Sequence, residues 1–115
     1  VRSMSMIRRL LALDGVNVVC HFRDDGYLIE GYGLMSRNDM DRLARFARDY
    51  RRMIQGNADQ LAMFTNMRGW TPPRGWVVRG ATQSVCGVAN LVCVVDSSGA
   101  PLNEILLELR EVSHW

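Results

Sequence analysis

Lysine is absent from this sequence: all fourteen of its basic residues are arginine. That excludes Schiff-base lysine chemistry and the lysine of a phosphate-binding loop. Cysteine is scarce, with three residues, an odd number and no CxxC pair. This argues against a disulfide framework and fits a reducing, cytoplasmic setting. Histidine occurs only as His21 and His114, neither with a cysteine or carboxylate at ligand spacing, so no metal site is expected. No apolar run approaches the roughly eighteen residues of a membrane span. The run Leu10–Leu13 after Arg8 and Arg9 stops at Asp14 without a small-residue cleavage site, so no signal peptide is expected. Fourteen basic against twelve acidic residues leave a formal charge of +2, too balanced to point to nucleic acid or an anionic membrane.

What is present describes a folded domain. At 115 residues the chain reads as one unit, 1–115, with Val1–Ser5 a remnant or an alternative start. Apolar residues at 48% and charged residues at 23% exclude general disorder. Ile7, Leu10 and Leu11 mark a short amphipathic helix that stops at Asp14-Gly15. Val16–Phe22 and Tyr27–Gly33 read as a hairpin around Asp24-Asp25-Gly26, where the carboxylates are turn formers and not an acid–base pair. Ser36 with Asp39 three residues on starts a helix. No proline interrupts the chain from there to Arg68. Gly69–Gly75, with Pro72-Pro73, is a connector. Strands are expected over Trp76–Arg79, Ser84–Val88 and Leu91–Val95, and Pro101 opens a last helix with Leu102, Ile105, Leu106, Leu109 and Val112 on one face.

The order α-β-β-α-β-β-β-α, with the last two strands apolar on both alternating sets, predicts an α/β (α+β) sandwich. Its five-stranded antiparallel sheet is covered by helices on both faces, the terminal pair on one and the long helix on the other. A helix from Ser36 to Arg68 would be about 50 Å long, against about 20–24 Å for strands of six or seven residues. Either it folds back at Gly56-Asn57 or a second chain covers its far half. The second reading is preferred, because exposed apolar area of this extent marks interfaces. The surface so defined is Met40, Leu43, Phe46, Ala47, Tyr50, Met53, Ile54, Leu61, Phe64 and Met67.

Element order and the strings Arg9–Val16, Gly69–Trp76 (GWTPPRGW) and Ser84-Val85-Cys86 resemble the roadblock (dynein-light-chain type) superfamily, in an uncharacterised bacterial branch. The resemblance implies a profilin-like fold and a non-enzymatic platform or regulator. Such domains dimerise through the long helix and an edge strand and serve partners that include small GTPases. It also implies a possible association with larger metabolic or redox assemblies.

Other candidates come from the residues themselves. An Ala89-Asn90 hairpin loop sets Cys86 opposite Cys93, with Cα atoms about 5.5 Å apart. The pair is expected to be two buried thiols, and a thiol-redox accessory role is the alternative. Cys20 stands apart on another strand. The long helix carries Arg37, Arg42, Arg45, Arg48, Arg51 and Arg52 among acidic residues. They are expected to be solvated and self-paired, with Asp41 four residues before Arg45. Arg45, Arg48 and Arg52 with Trp70 and Trp76 form a possible second partner surface, although the tryptophans are expected mainly to pin the connector. Gly31-Tyr32-Gly33 lacks the pattern of a phosphate loop. No catalytic constellation or cofactor site is visible. The expectation is therefore a homodimer that holds a protein partner. A small-ligand sensor is a third possibility, without a convergent polar set to support it.

Overall fold

A computed structural model describes residues 2–65, 75–98 and 101–113, with side chains at 7–56, 75–98 and 101–112. In chain order the elements are α1 (Arg2–Leu11), β1 (Val16–Phe22), β2 (Leu28–Gly33), α2 (Arg37–Thr65), β3 (Gly75–Arg79), β4 (Gln83–Val88), β5 (Leu91–Asp96) and α3 (Leu102–Ser113). This is the order read from the sequence, with strand ends shifted by one residue at most. Helix α1 begins at Arg2, so the backbone of Arg2–Ser5 is helical.

The five strands form one antiparallel sheet in the order β2-β1-β5-β4-β3. The β1–β5 pairing brings the two halves of the chain together at its centre, and β2 and β3 are the edges. Because side chains alternate across a sheet, each central strand serves two cores. Val19, Cys86, Val88, Leu91, Cys93 and Val95 pack with Ile7, Leu10, Ile105, Leu109 and Val112 of the terminal helices. Val18, Cys20, Phe22, Leu28, Val92 and Val94 pack with Met40, Ala44 and Ala47 of α2. The three-layer sandwich is as expected. Among the described residues both faces of the sheet are filled by apolar side chains, which counts against a ligand-sensing interior.

Local chemistry sets the element ends. The Ser36 hydroxyl oxygen accepts the Asp39 backbone N–H at 3.2 Å and caps α2. In the β1–β2 turn, an Asp25 carboxylate oxygen accepts the Tyr27 N–H at 2.9 Å and Gly26 takes φ +86°. The β4–β5 loop holds Ala89 at φ 51°, a conformation side chains rarely adopt. Its neighbour Asn90 is fixed by bonds from Arg51 Nη1 (2.5 Å) and to Asp24 Oδ1 (2.8 Å).

Helix α2 runs unbroken through Gly56, so the fold-back reading is wrong. A Cβ placed on Gly56 would meet nothing within 4 Å, and at this exposed site glycine weakens the helix without bending it. Its 29 residues make a rod of about 43 Å, while strands of five to seven residues reach only about 16–24 Å. The stripe buried on the sheet ends at Ala47. The expected extension to Arg68 lies outside the described residues.

Candidate functional site

Successive residues of α2 turn by about 100°, which divides the helix into three lanes. Met40, Ala44 and Ala47 form the lane under which the sheet lies, and all three are buried. Met40 and Ala47 therefore leave the expected partner surface, because the chain's own sheet already covers them. The helix meets β1, β2 and β5, and its small Ala side chains let it settle closely on them.

The second lane, toward β3, carries Leu43, Phe46, Tyr50, Met53 and Ile54. Phe46 and Tyr50 stack with centroids 5.6 Å apart, and Trp76 of β3 meets their rings at 6.1 and 4.9 Å. Trp76 can lie there because Gly87 opposite it has no side chain; a Cβ at Gly87 would come within 2.6 Å of the indole. Leu43, Tyr50 and Ile54 are half-buried, whereas Phe46 and Met53 stay 43% and 53% exposed. An apolar, aromatic strip thus runs beside the β3 edge. By spacing Leu61 and Phe64 continue this lane; their side chains, and Met67 and Trp70 altogether, lie outside the described residues.

The third lane, toward β2, carries Arg37, Asp41, Arg45, Arg48 and Arg52. Arg37, Asp41, Arg45 and Arg48 line a surface cleft of about 350 Å³ against Asp25, Gly26, Tyr27 and Leu28. The expected Asp41–Arg45 pair is not formed: among the described residues the ion pairs within this helix are Arg42–Asp39, loose at 3.9 Å, and Arg48–Asp49 at 2.8 Å. The proposed union of Arg45, Arg48 and Arg52 with Trp76 in one surface also fails, because Trp76 packs on the opposite flank.

Cys86 and Cys93 are register partners, as the hairpin count predicts, and both are free and fully buried. The hydrogen bond to Cys86, then burial, holds the Cys93 thiol well above its ordinary pKa. Burial, reinforced by Asp41 and opposed by Arg37, pushes Cys20 up to about 12. The hydrogen bond between Cys86 and Cys93 lowers the Cys86 pKa against the opposing effect of burial. All three sulfurs are nevertheless enclosed in the core. Thiol reactivity needs access as well as ionisation, so the geometry gives the redox alternative no support. One juxtaposition escaped sequence reasoning: cross-strand register sets His21 Nδ1 3.9 Å from Glu30 Oε1. That carboxylate oxygen is buried without a hydrogen-bond partner. Only β1–β2 register could have revealed the pair, and the bulge after His21 obscures it. Among the described residues no three metal-ligating side chains gather, and no helix is long and apolar enough to cross a membrane.

This architecture has close counterparts among solved structures. MglB in a tetrameric arrangement superposes with a TM-score of 0.77 at 19% identity, over 97% of this chain and 82% of that one. MglB of Myxococcus xanthus gives 0.76 at 19% identity, over 98% and 83%. A Roadblock/LC7 domain from Streptomyces avermitilis gives 0.71 at 12% identity, over 95% and 88%. The fold is thus of roadblock type, as the sequence strings suggested. There is no match among curated proteins. The model of a family described as an uncharacterized conserved protein (DUF2173) matches residues 6–111.

Proposed function

The chain belongs to the DUF2173 family, and from that premise we propose that it is a non-enzymatic interaction module of the cytoplasm, a homodimer that holds or regulates a protein partner. The observation that carries this reading is the α2 lane of Phe46, Tyr50 and Met53 lying half-open beside β3, which is an edge strand among the described residues. A second copy placed there would cover the apolar strip and extend the sheet, which relieves both exposed features together. The overhang of α2 beyond the sheet supplies further length for the same contact. The roadblock likeness adds small GTPases to the partner classes worth testing.

Light scattering on the purified chain at micromolar concentration tests the dimer. The expected mass is twice 13.0 kDa. Met53→Glu, at an exposed position, should halve that mass while circular dichroism stays that of the parent. A wild-type chain that stays monomeric up to about 100 µM, a concentration at which a stable interface would be saturated, overturns the reading.

A further inference from the structure

The arginine lane of α2 is arranged as a socket. Arg48 is held in place: its Nη1 donates to the Asp25 carbonyl at 2.7 Å and its Nε to Asp49 Oδ1 at 2.8 Å. Gly26 makes room for this contact, since a Cβ there would sit 3.3 Å from Arg48 Nε. The Asp25 carboxylate is already engaged, by the Tyr27 N–H at 2.9 Å and by Arg23 at 3.2 Å. Arg37 and Arg45 make no hydrogen bond or ion pair among the described residues, and neither does Asp41 between them. The cleft therefore presents two uncommitted guanidinium groups with one carboxylate midway, and Tyr27, 68% exposed, at its mouth.

The geometry points to a docking site for an extended acidic segment of a protein partner. Eight residues of helix separate Arg37 from Arg45, about 12 Å along the axis. Side chains rooted that far apart suit two separate anionic groups better than one small anion. They do match two carboxylates four residues apart on one face of an extended strand, about 13 Å. Asp41 repels an acid placed between them and favours a basic residue there. The segment that fits thus reads acid, any, base, any, acid, each acid meeting the planar fork of an arginine, which binds carboxylates in bidentate fashion. The socket lies on the flank of α2 away from Phe46 and Met53, so the assignment does not depend on dimer formation.

Fluorescence anisotropy with a labelled peptide containing Glu-Ser-Lys-Ser-Glu tests this, beside the charge-reversed Lys-Ser-Glu-Ser-Lys. The first should bind saturably and the second should not. Arg37→Gln with Arg45→Gln should weaken binding roughly tenfold, while Arg42→Gln, outside the cleft, leaves it unchanged. Asp41→Asn should weaken this peptide but strengthen Glu-Ser-Glu-Ser-Glu. Met53→Glu should leave binding intact, which separates this site from the dimer surface. Equal binding of the reversed peptide, equal loss in Arg42→Gln, displacement by inorganic phosphate at constant ionic strength, or no saturation at millimolar peptide would each overturn the assignment.

Discussion

At single positions, the packing of this molecule is set by what is missing as much as by what is there. Gly87 leaves the space that the Trp76 indole occupies, and Gly31 leaves the space for Met40 Sδ, 2.6 Å from where a Cβ would stand. Gly87→Ala should therefore lower stability by about 1–3 kcal/mol through forced repacking. The check is a lower urea midpoint accompanied by a changed tryptophan emission. The thiols make a second residue-level prediction. Cys20 ionises near 9.0 when unfolded and at about 12 when folded, so its neutral form favours the native state. That contribution is whole below pH 9 and is lost as pH rises through 12. Urea titrations between pH 8 and 12 should show falling stability, and Cys20→Ala should flatten part of the decline. An unaltered slope in that variant would contradict the assigned cause.

Among the elements, α2 is the one whose continuity decides the architecture. Its cap, Ser36, and its first-turn Asp39 are both local signals, and they read correctly from the chain alone. Gly56 read ambiguously, because a glycine within a helical pattern is compatible with either a weak link or a bend. The structure makes it a weak link. Gly56→Ala should raise stability, by up to about 1 kcal/mol, since the new methyl meets nothing within 4 Å. Thermal unfolding followed by circular dichroism measures this, and a destabilised variant would indicate a bend at that residue. The lanes of α2 were only partly legible. Periodicity grouped Met40 and Ala47 with Tyr50 and Ile54 as one stripe, but the sheet ends near Ala47 and divides that stripe into buried and open parts.

For the molecule as a whole, the two edges of the sheet have opposite surroundings. The β3 edge adjoins an aromatic and apolar lane, and the β2 edge adjoins an arginine cleft. The first is the side proposed for a copy of the same chain, the second the side proposed for a partner bearing acidic residues. If the first holds, the melting temperature should rise with protein concentration, because association stabilises the folded state by mass action. Met53→Glu should abolish that dependence. A melting temperature independent of concentration over a hundredfold range would argue for a solitary fold.

Element order, the hairpin turns, the cap of α2 and the Cys86–Cys93 register were determined by the sequence itself. Each rests on neighbours within a few residues, where alternation, helical spacing and turn chemistry act directly. Which α2 residues are buried, the separation of Trp76 from the arginines, the unformed Asp41–Arg45 pair and the meeting of His21 with Glu30 were decided only by the tertiary structure. They depend on where the sheet ends beneath the helix and on a bulge in β1–β2 pairing, and a long-range geometric limit leaves no mark in local periodicity.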